Sequence, residues 1–131
     1  MSGFLLDTNV ISELRKGVRA SSRVRAWFEA QLGSDIYLSV LTLGEIRRGL
    51  ERIRRRDEAS ATALEKWLER LKREYSDRLL AVTERIADRW GRLGINQPVP
   101  TVDALLAATA LEHELVFVTG NETEVTATAV E

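Results

Sequence analysis

The sequence predicts an α/β protein in which helices cover both faces of a central, mostly parallel sheet of four or five strands. Short apolar runs, which are typical of buried strands, alternate with longer segments whose apolar residues recur at helical spacing. Strands that alternate with helices form parallel sheets through right-handed crossovers. We therefore expect a three-layer α/β/α arrangement and a single domain over residues 1–131.

The first 32 residues predict a buried strand and two helices. Residues 4–7 form the strand, and residues 9–16 form a short helix that Gly17 can end in a left-handed conformation. A second helix fits residues 19–32, where apolar side chains fall at i, i+3, i+4 and i+8. These side chains are Val24, Trp27, Phe28 and Leu32.

A second strand and a helical hairpin follow. Residues 36–40 are β-branched and aromatic enough to favour a strand. Thr42 is predicted to cap the next helix, with Glu45 three residues later completing a capping-box pattern. A break near residues 56–57 separates this helix from another amphipathic helix. The predicted inward residues are Leu43, Ile46, Leu50 and Ile53 in the first helix, and Ala61, Leu64, Trp67, Leu68 and Leu71 in the second.

The last part of the chain predicts two more strands and two more helices. Residues 94–100 form a loop between the two helices, because their prolines disfavour helical backbone. The other predicted elements are a strand over 79–82, a helix that buries Ile86, Ala87, Trp90 and Leu93, a helix over 102–114, a strand over 115–118 and a turn over 119–121.

Composition limits the function. The formal net charge of -1 gives no overall attraction to nucleic acid, so any basic binding surface has to be local. The absence of cysteine excludes disulfides, a thiol nucleophile and cysteine-ligated zinc. With no apolar run near 18 residues and no cationic leader, we expect an uncleaved, soluble, cytoplasmic protein.

Four acidic residues are predicted to lie at the carboxyl edge of the sheet. Asp7 follows the first strand, Glu45 and Asp103 lie near the starts of helices, and Glu124 lies just beyond the fourth strand. Open α/β sheets place their ligands at this edge. Each acid also has a structural explanation, because Asp7 or Thr8 can cap a helix and acids in a first helical turn are stabilised by the macrodipole.

Carboxylates that converge must relieve their repulsion through raised pKa values or a bound cation. Hard divalent ions such as Mg²⁺ or Mn²⁺ take oxygen ligands. Such a site suits phosphoryl or phosphodiester chemistry, because a metal ion activates water and holds a phosphate oxygen. It requires no histidine base, and the lone histidine, His113, lies among acids and is predicted to be solvated.

Four stretches of the chain resemble the motif blocks of PIN-domain proteins, and within them the VapC-type toxins of bacterial toxin–antitoxin pairs. They are LLDTNVISEL at 5–14, LTLGEIRRG at 41–49, VDALLAATA at 102–110 and VTGN at 118–121. The resemblance covers nearly the whole chain in order. It implies a metal-dependent ribonuclease with a three-layer α/β/α fold, usually a homodimer held inactive by a cognate antitoxin.

The resemblance also implies roles for individual residues. Asp7, Glu45 and Asp103 match the family's first three acidic positions and would be ligands to Mg²⁺ or Mn²⁺. Glu124 lies where relatives usually have Asp, and Gly120 lies where they often have Arg. The matching polar positions are Thr8 and Asn9 after the first acid, and Thr119 and Asn121 in the last block. Relatives tend to continue into a final short strand.

Residues 46–56 hold six arginines against one acid, Glu51. Arg47, Arg48, Arg52 and Arg55 are candidates for contact with RNA phosphates or with an antitoxin. Two alternatives stay open: a solvated helix face with a Glu51–Arg55 pair, or a docking surface for an acidic partner peptide. The three tryptophans fall on apolar stripes, which favours core packing over base stacking.

Other function classes fit less well. A haloacid-dehalogenase-like phosphatase needs a second Asp where Asn9 stands, and a receiver-like domain needs a late Lys, whereas the last one here is Lys72. A PIN-like domain that only binds RNA or a partner remains an alternative. The favoured hypothesis is hydrolysis of RNA that leaves a 5′-phosphate and a 3′-hydroxyl.

Overall fold

A five-stranded sheet forms the centre of the fold. The computed structural model describes residues 3–31, 35–93, 99–120 and 125–128. The strands are β1 (Gly3–Leu6), β2 (Asp35–Ser39), β3 (Leu79–Leu80), β4 (Val116–Gly120) and β5 (Val125–Thr128). Their order is β3-β2-β1-β4-β5; the first four are parallel, and β5 is antiparallel to β4. The predicted mostly parallel sheet is confirmed, and its last strand is short.

In the described ranges, six helices connect and cover the strands. They are α1 (Thr8–Leu14), α2 (Ser22–Ala30), α3 (Val40–Arg54), α4 (Glu58–Glu74), α5 (Glu84–Arg92) and α6 (Thr101–Glu112). Gly17 has a φ of 61° and opens a short 3₁₀ turn after α1, which confirms its predicted left-handed conformation. The Asp57 carboxylate caps α4 by accepting from the Ser60 backbone N–H at 3.1 Å. None of the helices in the described ranges is long and apolar enough to cross a membrane.

The core lies on both faces of the sheet, because successive strand residues point in opposite directions. Leu6 belongs to a large cluster with residues from α1, α2, α3 and α4, including Val10 and Leu50. Leu5 belongs to a smaller cluster with Leu106 on α6. This division produces the predicted three layers.

The start of α3 differs from the prediction. Ser39, not Thr42, is the N-cap, and its side-chain oxygen accepts from the Leu41 backbone N–H at 3.0 Å. Both residue types are good N-caps, and the helix begins directly where β2 ends. Thr42 is therefore inside the helix and fully buried.

The prediction for α5 was also partly wrong. Ile86 is buried, but Ala87 is exposed and the Trp90 side chain is 40% exposed. The helix follows the two-residue edge strand β3, where little of the protein covers it. Trp27 and Trp67 do pack against the core, as predicted.

The predicted turn over 119–121 is wrong at its first two residues, because Thr119 and Gly120 belong to β4. Predictions for Leu32, for residues 94–98, and for Asn121 and Glu124 lie outside the described residues. The exposed position of His113 at the end of α6 agrees with its predicted solvation.

Replacing Leu50 with alanine should destabilise the fold strongly. Its side chain is 1% exposed within the large cluster, so L50A leaves a cavity and should lower the free energy of unfolding by about 2–5 kcal/mol. The control is V18A, since Val18 is 85% exposed. Urea unfolding of both variants checks this, and equal effects would contradict the assigned core.

Candidate functional site

Asp7 lies at the centre of the carboxyl edge of the sheet. Its backbone N–H donates to the Val118 carbonyl at 2.9 Å, and its own carbonyl accepts from the Val10 and Ile11 N–H groups at 3.0 and 3.2 Å. Asp7 is the N-cap residue of α1, so of the two caps that the sequence allows, Asp7 and Thr8, the structure has Asp7 in this position. Within the described structure its side chain makes no capping bond, which leaves the carboxylate available for other contacts.

Thr119 holds the Asp7 carboxylate in place. Its hydroxyl donates to Asp7 Oδ2 at 3.1 Å. The contact follows from the sheet register: Leu6 pairs with Val118, so the next residue of each parallel strand lies beside the other. Thr119 was predicted as a supporting polar residue, and its position at the end of β4 gives it that geometry.

Thr8 connects α1 to α3. Its hydroxyl donates to Glu45 Oε1, and its Oγ1 lies 3.3 Å from Thr42 Oγ1. Sequence reasoning missed Thr42 as a member of this group, because it assigned that residue to the helix cap. The available signal was its i, i+3 spacing from Glu45, which places both residues on one side of a helix.

The Asp7 carboxyl is buried among like charges. Its side chain is 9% exposed, and burial raises its pKa. The negative charges of Asp103 and Glu45 raise the pKa further, against the lowering effect of the Thr119 hydrogen bond. Asp103 reaches this edge from the first turn of α6. The fold thus brings Asp103 and Glu45, two of the other three predicted acids, within electrostatic range of Asp7.

The chemistry of these side chains fits a hard divalent cation. The donors are carboxylate and hydroxyl oxygens, and a cation would relieve the repulsion that raises the Asp7 pKa. As placed, however, no three acidic or histidine side chains in the described ranges are grouped closely enough to hold a metal ion by themselves. A complete ligand shell would need water molecules or further residues, and Mg²⁺ usually keeps several waters.

A cavity of about 490 Å³ opens beside the acids. Thr8, Asn9, Glu45 and Gly120 line one end of it, and Asn9 is exposed in the first turn of α1. The rest of the lining includes apolar side chains, such as Leu64 and Trp67 of α4, and the charged residues Glu13, Arg15 and Lys16. Of the three acids, Glu45 therefore lines this partly apolar groove.

The predicted arginines fall into two groups. Arg47 donates to Glu51 and Glu65 at 3.2 and 2.7 Å, so these acids already pair with its charge, and its contact with RNA or an antitoxin stays a prediction. The other three, Arg48, Arg52 and Arg55, are exposed on α3.

The fold and the site together define an α/β/α protein with an acidic centre at the carboxyl edge of its sheet. Residues 4–128 match the PIN domain family, and the chain belongs to this family.

Relatives and solved structures agree with this membership. The chain is 29% identical over 124 residues to Toxin FitB of Neisseria gonorrhoeae, covering 88% of this chain and 85% of the relative. A stretch of 46 residues is 50% identical to VapC ribonuclease Y4jK of Sinorhizobium fredii, covering 35% and 32% of the two chains. The crystal structure of FitAcB from Neisseria gonorrhoeae superposes with a TM-score of 0.78 at 29% identity, covering 90% of this chain and 87% of that one.

Replacing Asp7 with asparagine should stabilise the metal-free protein. Folding raises the pKa of the Asp7 carboxyl above 3.8, so the ionised side chain opposes folding. The stability that the protonated side chain contributes is fully present below pH 3.8 and is lost as the pH rises through the raised pKa. Asn keeps an oxygen that can accept from Thr119. In EDTA the Tm of D7N should exceed that of the wild type at pH 7, and the difference should shrink toward pH 4.

The matched control is D35N, because Asp35 is exposed. It should track the wild type across the same pH range. A D7N protein that melts below the wild type at pH 7 would contradict the assigned repulsion.

Proposed function

We propose that the chain is a divalent-metal-dependent ribonuclease that hydrolyses phosphodiester bonds in RNA, and that it is the toxin of a bacterial toxin–antitoxin pair. The observation that carries the proposal is the approach of Asp103 and Glu45 to the buried Asp7 at the carboxyl edge of a PIN-domain sheet. Relatives named as a toxin and as a VapC ribonuclease support it.

The proposed ligands to Mg²⁺ or Mn²⁺ are Asp7, Glu45 and Asp103, with Glu124 as the fourth acid. Thr8 and Thr119 hold two of these carboxylates through hydrogen bonds. Asn9 and Asn121 are the other polar residues proposed to support the site. When bound, the ion lowers the pKa of a coordinated water and withdraws charge from a phosphate oxygen.

The residues of the chain prepare the site for hydrolysis in two ways. The Thr119 hydroxyl donates to Asp7 Oδ2 and so fixes the orientation of the carboxylate. Ionised carboxylates can accept a proton from the attacking water. That water adds to phosphorus in line as the bond to the 3′-oxygen breaks, and the leaving 3′-oxygen takes a proton from solvent water. The products are a 5′-phosphate and a 3′-hydroxyl.

The proposed partners are an RNA substrate, a cognate antitoxin and a second copy of the chain in a homodimer. An RNA substrate would place the protein in the cytoplasm.

A second candidate is a catalytically weak PIN-like module that binds RNA or a partner. It is favoured by the acids in the described ranges, which are not grouped closely enough to hold a metal ion by themselves. Gly120 and Glu124 also depart from the usual family residues. The two candidates differ in whether purified protein cuts RNA when Mg²⁺ or Mn²⁺ is supplied.

Replacing Asp7 with asparagine should abolish cleavage while the fold persists. Since losing even the supporting partner of a metal ligand costs about 10–100-fold, loss of a central carboxylate should cost at least about 100-fold. Labelled RNA is incubated with the wild type, D7N and D35N in Mg²⁺, in Mn²⁺ and in EDTA. Cleavage by D7N or in EDTA would contradict the proposed site, and no cleavage by the wild type would favour the binding module.

Replacing Thr119 with valine should weaken catalysis through Asp7. The variant keeps the side-chain shape but loses the hydrogen bond to Oδ2, so cleavage should fall about 10–100-fold. T119S restores the hydroxyl and should recover most of the rate. The Mg²⁺ concentration that gives half-maximal cleavage should rise in T119V; equal rates in both variants would rule out this positioning role.

A further inference from the structure

The arginines of α3 lie on two different faces of the helix. Arg47 and Arg54 are seven residues apart and share one face, where acids surround them. Arg47 Nη1 lies 2.7 Å from Glu65 Oε2, and Arg54 Nη1 lies 2.6 Å from Glu58 Oε2. Glu51 pairs with both arginines, at 3.2 and 3.0 Å. These contacts raise the pKa values of both arginines and connect α3 to α4.

A second set of arginines has no such partners. Arg48, Arg52 and Arg55 are exposed and form no ion pair with any described residue. They follow Glu45 at i+3, i+7 and i+10, which is one line along a helix. At 1.5 Å per residue, the line runs about 15 Å from the acidic site. We refer to these three residues as the arginine stripe.

The stripe is not neutralised by its own helix. A Glu51–Arg55 pair was one alternative from the sequence, but the Glu51 carboxylate is held by Arg47 and Arg54 instead. Nearby cations on the cavity wall are also engaged, since Lys16 Nζ binds Glu13 at 3.0 Å and the Arg15 guanidinium lies 5.8 Å from the centre of the Trp67 ring. The exposed positive charge that continues from Glu45 is therefore the arginine stripe.

We propose that the arginine stripe binds successive phosphates of a single-stranded RNA segment and leads that strand to the acidic site. The inference rests on the proposed ribonuclease function and deepens it. An acidic site repels phosphates, so the substrate has to be held by adjacent positive charge. Guanidinium groups bind phosphates in a bidentate manner. A single row of cations follows one nucleic-acid backbone, which fits an unpaired strand better than a duplex.

Binding is tested apart from cleavage in the D7N background with EDTA. The probe is a fluorescein-labelled, unstructured RNA of mixed sequence, followed by anisotropy between about 50 and 200 mM KCl. The stripe variant R48Q/R52Q/R55Q should lower the salt slope of log Kd by about 2, since each contact to a single strand contributes about 0.7. R48K/R52K/R55K should keep the slope, because it keeps the charge.

The control variant R23Q/R70Q/R73Q removes the same charge from exposed positions on α2 and α4. It should bind RNA with the wild-type slope. If the control and the stripe variant lost RNA binding equally, the loss would reflect net charge alone, and the proposal would be overturned.

Cleavage kinetics separate this inference from the proposed function. With intact Asp7, the stripe variant should raise KM about tenfold and leave kcat unchanged. Cleavage with an unchanged KM would overturn the stripe while the ribonuclease stands, whereas stripe-dependent binding without any wild-type cleavage would overturn the hydrolysis alone. If the stripe variant kept RNA binding but lost binding to a poly-glutamate peptide, the stripe would instead be a docking surface for an acidic partner.

Discussion

The parallel pairing of β1 with β4 at the centre of the sheet is the constraint on which the site depends. The pairing continues one residue past the strand, where the Asp7 N–H donates to the Val118 carbonyl. The same register puts Thr119 beside Asp7, so the strand that fixes the backbone of the acid also supplies the hydroxyl that turns its carboxylate. Helices α3 and α6 then begin near this edge, and Glu45 and Asp103 come with them.

At Asp7, the requirements of the proposed cation site conflict with those of fold stability. Burial and two like charges disfavour the ionised form of Asp7, yet a cation site needs the ionised form. The fold tolerates the conflict because the residues just before it, Leu5 and Leu6, are completely buried on opposite faces of the sheet. The burial of these apolar side chains in both layers stabilises β1, the strand that ends directly before the Asp7 carboxylate.

Much of the fold could be predicted from the sequence, because the short apolar runs of strands and the helical spacing of apolar residues are local patterns. Asp7 and Glu45 could be predicted to lie at the carboxyl edge, since each follows a strand end in a recognisable block. The failures depend on context: Ser39 and Thr42 are equally good caps, and only the end of β2 decides between them. The exposure of Trp90 depends on which layer covers α5. The ion pair of Arg47 with Glu65, eighteen residues away, could not be predicted for the same reason. The sequence pattern carries no information about either partner.

The two-faced charge distribution of α3 makes hairpin stability and surface charge separable properties. Arg47 and Arg54 belong to the α3–α4 connection, while the arginine stripe contacts no described acid. Substitutions on the stripe can change the surface potential beside Glu45 without loosening the helical hairpin. The charge of this face can therefore change at nearly constant fold stability, so the surroundings of the acidic centre can be altered independently of the helical hairpin.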